Sequence, residues 1–284
     1  MYEELQYAII IFTQGFSSPL LDAFLLGVNI LGNPAFWFIA AALFYWIGKE
    51  RTTLHIMNVL LFTAVVVGAI KVVAGAERPS SGIVQRKVDD TFNELTFPSG
   101  HSTTAAAIYG HYSGILKRNI RAIALAFVLL VAFARIYLGA HFPIDVIAGL
   151  AIGFIIGKIN LRLERRFEKA HFRLSKLQDE ILVVVAVAVF LAGLYIINSL
   201  ALLALFAGFY AGFFAWQELG IKQRKLERRN LAVKLIAGYA GLALLMLVPE
   251  LVLPTGGSMR FPLYFVAGAW VSLIYPWLAG KLSF

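Results

Sequence analysis

Residues 135–157 read RIYLGAHFPIDVIAGLAIGFIIG. A cation, a glycine, a histidine, a proline and an aspartate lead directly into an apolar run in which Gly149, Gly153 and Gly157 recur every four residues. Pro143 suits the first turn of a helix, where its missing N–H is no loss. The run after it is apolar on every face, as a helix in hydrocarbon must be. The glycine spacing fits close packing of that helix against another. This stretch predicts a membrane helix with a polar mouth, and the rest of the chain has to explain what the mouth holds.

Composition extends the reading to the whole chain. Of 284 residues, 60% are hydrophobic and 14% charged, against about 45–50% and 25% for soluble domains. Apolar runs predict spans near 35–48, 54–74, 101–116, 120–138, 143–158, 180–197, 199–216, 231–252 and 262–280, an all-α polytopic bundle of about nine spans. Glu3, Glu4, Asp22 and Asn29 punctuate the first thirty-odd residues, so 1–34 is expected to form amphipathic, interfacial helices. The acidic amino end does not read as a cleaved signal peptide. The expected division is 1–34, a catalytic core at 35–160, a basic cytoplasmic linker at 161–179, and an accessory four-span region at 180–284. With no cysteine in the chain, disulfides and thiolate chemistry are excluded.

The net charge of +9 sits in short loops between apolar runs, without an aromatic-basic platform, so no nucleic-acid partner is expected. Alternate loops hold Lys49 and Arg51; Lys117, Arg118 and Arg121; the Lys158–Lys176 cluster; Lys222–Arg229; and Lys281. Positive loops favour the cytoplasmic side. The polar mouth at 135–145 is then expected on the extracytoplasmic or lumenal face of a plasma or cytoplasmic membrane, with the carboxyl end inside.

Two further segments fall on that same face: KVVAGAERP at 71–79 and PSGH at 98–101. Each charge held in a bilayer costs about 2.5 kcal/mol or more unless paired or hydrated, so Lys71, Arg78 and Arg135 beside His101, His141 and Asp145 point to function. Pro98 leads Ser99, Gly100 and His101 into a helix start, where unpaired N–H groups and the dipole favour an anion, and Gly100 leaves the backbone approachable. His141 and Asp145 stand four apart, so the carboxylate can accept from one imidazole nitrogen and leave the other as a lone-pair nucleophile. Arg78 and Arg135 suit bidentate grip on phosphoryl oxygens, while Lys71 supplies a point charge. A protonated His101 can hand a proton to a departing oxygen. No metal and no cofactor is expected.

Lys71-x6-Arg78-Pro79, Pro98-Ser99-Gly100-His101 and Arg135-x5-His141-x3-Asp145 together resemble the three-part signature of the type 2 phosphatidic acid phosphatase superfamily, in order and spacing, over roughly 35–160. The resemblance implies that His141 attacks phosphorus and forms a phosphohistidine, that Asp145 supports it, and that His101 protonates the leaving group. It implies that Lys71, Arg78, Ser99, Gly100 and Arg135 hold the phosphate. One departure is Ala134, where that family commonly has a serine before the arginine, which removes a supporting hydrogen bond. The implied partner is a membrane-borne lipid phosphate or diphosphate: isoprenyl diphosphate, phosphatidic acid-like or phosphatidylglycerol phosphate-like. The alternatives are a lipid phosphotransferase using the same intermediate, a soluble sugar-phosphate phosphatase, and a lipid transporter or flippase with a phosphate-recognition site.

The remaining polar residues read as structural. His55, His111 and His171 are expected to be packed or interfacial, Asp89, Asp90 and Glu94 to be solvated or salt-bridged, and Glu250 to be interfacial, where Arg260 can pair with it. Gly208 and Gly212 repeat the four-residue spacing of the earlier glycines and again predict helix packing.

Overall fold

The computed structural model describes residues 2–88, 95–170, 200–218, 230–252 and 260–281. Eleven α-helices account for nearly all of them, and an isolated bridge between Glu77 and Leu95 is the only β pairing among the described residues. In chain order the helices are α1 (Tyr2–Gln14), α2 (Pro19–Ile30), α3 (Pro34–Trp46), α4 (Glu50–Ala74), α5 (Gly100–Tyr112), α6 (Arg118–Tyr137), α7 (Pro143–Ala170), α8 (Leu200–Glu218), α9 (Leu231–Val252), α10 (Arg260–Ala269) and α11 (Tyr275–Lys281). A π-helical turn, Trp270–Ile274, joins the last two.

Local chemistry sets the boundaries. Ser18 caps α2 by accepting from the Leu21 N–H at 3.3 Å, with Pro19 as the first helical residue and Asp22 in the first turn. Ser99 caps α5 in the same way, accepting from the Ser102 N–H at 3.4 Å. Between α6 and α7 the chain reverses through Gly139 at φ +66°, and a Cβ there would lie 2.4 Å from the Gln85 carbonyl oxygen. Both conditions exclude any other residue at that turn.

The expected nine spans are not reached among the described residues. Five helical stretches are long and apolar enough to cross a membrane: Glu50–Ala74, Arg118–Tyr137, Pro143–Arg166, Leu231–Val248 and Pro262–Lys281. The pair α1–α2, bent by 117°, makes a sixth at most. Helices α3 and α5 have 13 residues each, about 20 Å at 1.5 Å per residue, too short for about 30 Å of hydrocarbon. The apolar part of α8 is also short, Leu202–Trp216. The expected span at 180–197 lies outside the described residues, as do His171, Asp89, Asp90, Glu94 and the side chains of Glu250 and Arg260.

Contacts divide the chain into two compact units, one of Met1–Trp37 with Asn58–Asn198 and one of Phe38–Met57 with Ser199–Phe284. This differs from the division expected at 35. Residues 38–57 join the C-terminal unit because their polar aromatics find partners there: the Tyr45 hydroxyl donates to Ser272 O at 3.0 Å and Trp46 Nε1 donates to Val271 O at 3.0 Å. The expected linker at 161–179 begins as helix, since α7 runs on to Ala170 through strong helix formers with no glycine or proline.

In the first unit, Leu25 and Val28 of α2, Ala105 and Ala106 of α5, and Val128, Val131 and Ala134 of α6 form a buried cluster with Tyr137 and Leu138. Ala134 is fully buried there among apolar neighbours. Helix α5 lies directly on the glycine face of α7: a Cβ at Gly153 would fall 2.2 Å from Thr103 O, and one at Gly157 would fall 2.1 Å from Ala107 O. That approach joins the α5 start, with Ser99 to His101, to the α7 start, with Asp145. In the second unit Gly208 does the same for α8 and α10, its missing Cβ lying 1.8 Å from Phe265 O.

Candidate active site

The polar mouth forms where α4 ends, α5 and α7 begin, and α6 ends. His141 occupies the turn between α6 and α7 and is 2% exposed. Asp145, in the first turn of α7, is equally buried and accepts from the Phe142 N–H at 2.8 Å through Oδ2, closing the turn that carries His141. The same oxygen lies 3.6 Å from His141 Nδ1, beyond hydrogen-bond distance. The expected direct contact between the two is therefore replaced by a hydroxyl: Thr96 Oγ1 is 2.9 Å from His141 Nδ1 and donates to Asp145 Oδ2 at 2.5 Å.

The opposite ring nitrogen faces a cation. Arg78 Nη1 lies 3.5 Å from His141 Nε2 and donates to Ala140 O at 2.8 Å. Burial first, and then the charges of Arg135, Arg78, Lys71 and His101, hold His141 well below the ordinary histidine value of 6.5. The imidazole is neutral at physiological pH, with its lone pair intact. Lys71, Arg78, Arg135 and His101 thus lie near enough to His141 to bear on its protonation.

Each of the other expected residues has a defined place. Lys71, in the last turn of α4, donates to the carbonyls of Leu95 and, at 3.2 Å, Thr96. Its ammonium thus secures the segment leading into Pro98, a use that the motif does not disclose. Arg135 is fully buried at the end of α6, and its Nη1 donates to Asn29 Oδ1 of α2 at 2.8 Å. The Ser99 hydroxyl, besides capping α5, lies 3.0 Å from Ser102 Oγ, and the Ser99 N–H donates to Asp145 O at 3.0 Å. A Cβ at Gly100 would meet nothing within 4 Å, so the space above that backbone is open. Gly32, after α2, backs His101 so closely that a Cβ would fall 2.9 Å from the His101 Cβ.

Two groups at this site escape a reading of the sequence. Asn29 lies 106 residues from Arg135, and its one signal is a polar residue inside an apolar helix. Thr96 has a weaker signal still, a hydroxyl two positions before Pro98. Next to Lys71 and Thr96 in the chain, Ala69, Ile70, Val73 and Ala74 of α4 and Phe97 line an open apolar hollow of about 400 Å³. At the far end of α5, His111 is fully buried with Nε2 3.5 Å from Glu164 Oε2, a packed histidine well apart from the mouth.

Known proteins are similar to this chain in sequence and in fold. Residues 52–169 match the family model described as the PAP2 superfamily, and residues 200–284 match the model described as the PAP2 superfamily phosphatase, transmembrane extension. Lipid phosphate phosphatase delta of Arabidopsis thaliana is 30% identical over 164 residues, which is 52% of this chain and 39% of that protein. The decaprenylphosphoryl-5-phosphoribose phosphatase of Mycobacterium tuberculosis is 38% identical over 92 residues, 32% of this chain and 49% of that protein. The matched part thus spans less than half the length of either relative. The crystal structure of the first transmembrane PAP2 type phosphatidylglycerolphosphate phosphatase from Bacillus subtilis superposes with a TM-score of 0.50 at 24% identity, covering 61% of this chain and 89% of that one, a likeness of fold. With all three motif segments inside one family match and the C-terminal helices inside a second, this integral membrane protein belongs to the PAP2 superfamily.

Proposed function

We propose that the chain is a membrane lipid phosphatase that hydrolyses a phosphomonoester or diphosphate on an amphiphilic carrier through a phosphohistidine at His141. The observation that carries this reading is the polarity of the buried imidazole, which has a cation at 3.5 Å from Nε2 and a hydroxyl and carboxylate on the Nδ1 side. In the first step the Nε2 lone pair forms a bond to phosphorus as the bond from phosphorus to the carrier oxygen breaks. His101, which burial and then Arg78 push down to about 4, takes up a proton as the anionic phosphate docks beside it and gives that proton to the departing oxygen. In the second, His101 takes a proton from water, the water oxygen attacks phosphorus, and the N–P bond breaks to release inorganic phosphate and neutral His141. Arg78, Arg135, Lys71 and the N–H groups over Ser99 and Gly100 offset the charge on the equatorial oxygens.

The apolar hollow next to Lys71 in the chain supports an amphiphilic substrate, since a hydrocarbon chain attached to the phosphate can stay out of water there. The similar proteins of Arabidopsis thaliana and Mycobacterium tuberculosis are named for lipid-linked phosphates, which supports the same class: isoprenyl diphosphate, phosphatidic acid-like or phosphatidylglycerol phosphate-like lipids. Purified protein assayed against these lipids and against soluble sugar phosphates should release inorganic phosphate from the lipids with chelator present, and vanadate should inhibit. Label transfer to a lipid or sugar acceptor without free phosphate would make the chain a phosphotransferase, and movement of lipid without turnover a transporter.

The loop charges support placing the site on the extracytoplasmic or lumenal face. In sealed vesicles, an impermeant thiol reagent applied to that face should label a cysteine introduced at Ser80, in the loop after α4, and spare one at Asn119, at the start of α6. Labelling of both from one side would overturn the orientation.

A further inference from the structure

We infer that Thr96 is a positioning residue for the His141 nucleophile, a hydroxyl relay that fixes which ring nitrogen carries the proton. The inference rests on the proposed phosphohistidine mechanism for its consequence, and on the geometry alone for the proton's position.

The direction of every hydrogen in the group follows from what each neighbour can do. Arg78 has donors only, so at 3.5 Å from His141 Nε2 it faces a lone pair. The ring proton of the neutral imidazole is then on Nδ1. Thr96 Oγ1, 2.9 Å away, accepts it, and spends its own proton on Asp145 Oδ2 at 2.5 Å. One donor, one hydroxyl and one acceptor form a chain with no alternative polarity as long as Asp145 is ionised. Without Thr96 the chain does not close at this geometry, because Asp145 Oδ2 stands 3.6 Å from Nδ1.

The hydroxyl is held as a fixed part. Thr96 is 1% exposed, its N–H donates to Ala76 O at 2.8 Å, and Lys71 Nζ donates to its carbonyl at 3.2 Å. The bridge between Glu77 and Leu95 aligns this segment with the one that carries Arg78. A buried β-branched residue has little rotamer freedom, so Oγ1 stays between the ring and the carboxylate. When Nε2 bonds phosphorus the ring becomes cationic while Nδ1 keeps its proton. The relay then passes the stabilising influence of the Asp145 carboxylate to that cation, with no proton leaving Nδ1.

The test uses the full-length protein in detergent with ¹⁵N-labelled histidine, the His141 resonances being assigned by their loss in His141→Asn. The unmodified protein and Thr96→Ser should both show the Nδ1–H tautomer, and Thr96→Ser should keep kcat within about threefold. Thr96→Val, which keeps the shape and removes the hydroxyl, should lower kcat about a hundredfold, the low end of acid-base assistance. It should also mix in the Nε2–H tautomer, with KM changed less than kcat. A hydroxyl with a purely structural role would leave the tautomer unmoved. An Nε2–H signal in the unmodified protein overturns the relay whether or not Thr96→Val folds, and so does a folded Thr96→Val with unaltered tautomer and kcat. Absence of phosphate release from every lipid tested would instead defeat the proposed function, while the tautomer still decides the role of Thr96.

Discussion

The two units use the same device to bring helices together and then put different things between them. In each, glycines let one backbone lie on another, Gly153 and Gly157 under α5 and Gly208 under α10. In the first unit the buried side chains include Lys71, Arg135, His141 and Asp145. In the second, the corresponding interior is aromatic: Tyr45 packs edge-on against Phe209 at 5.7 Å, and Trp46 lies 4.9 Å from Tyr275. Its polar atoms end on backbone carbonyls, Trp216 Nε1 on Ser272 O at 2.7 Å and Trp270 Nε1 on Gly238 O at 3.0 Å. We propose that the charged side chains grouped beside the open space over Gly100 serve a ligand, whereas the aromatic donors of the second unit serve its fold.

The sharpest way to break this contrast is to remove chemistry from the first unit alone. His141→Ala should bring phosphate release to background, and Asp145→Asn should lower it by about a hundredfold or more, with the purified variants still monodisperse and helical. Near-normal turnover in a folded His141→Ala protein would move the nucleophile elsewhere.

Overpacking the two glycine contacts should separate the units functionally. A leucine at Gly153 must displace Thr103 O and hence α5, whose first turn carries His101, so kcat should fall about tenfold to a hundredfold along with stability. A leucine at Gly208 must displace Phe265 O. It should cost stability of similar size, about 1–3 kcal/mol, while the folded fraction keeps its kcat. Equal loss of kcat in both variants, measured per folded molecule, would erase the distinction.

Acid should act on the first unit through His141. Its folded value is pushed below 6.5, so the unfolded chain takes up the proton first as pH falls. Stability tied to neutral His141 is therefore complete above about pH 6.5 and declines below it. The acidic limb that His141 contributes to kcat/KM should likewise lie below that value. Thermal midpoints compared between the unmodified protein and His141→Asn should show a smaller acid loss in the variant, and an identical loss would remove His141 as its source. The smallest effect expected is Tyr45→Phe. Ser272 O keeps its bond from Trp216, so stability should drop by about 0.5–1 kcal/mol with kcat unchanged.

What the sequence discloses follows from how locally each feature is encoded. The Arg135-to-Asp145 turn is legible because Gly139, Pro143 and the four-residue step from His141 to Asp145 are constraints within one reversal of the chain. Asn29 and Thr96 are not, because each acts on a residue brought near only by tertiary packing, Asn29 across 106 positions and Thr96 across 45 to His141. The spacing of His141 and Asp145 invites a direct bond, yet the carboxylate is drawn to the Phe142 N–H of its own turn. The span count is less legible than the all-α bundle for a related reason: α5 reads as a crossing from its alanines and Ile108, while it has 13 residues, includes Ser102, Thr103 and Thr104, and packs on α7. The partnership of 38–57 with residues beyond 199 is likewise invisible until Tyr45 and Trp46 find their acceptors.

That last pairing sets an order of events during synthesis. Tyr45 and Trp46 leave the ribosome more than 200 residues ahead of Val271 and Ser272, the residues that accept their hydrogen bonds. At about 5–20 residues per second the delay is on the order of ten to forty seconds. Throughout it, two aromatic donors bound for the interior of one unit need temporary acceptors, from lipid headgroups, water or an insertion factor. Meanwhile Asn58–Asn198 has already been made, so every residue that lines the mouth exists before the other unit has received most of its chain.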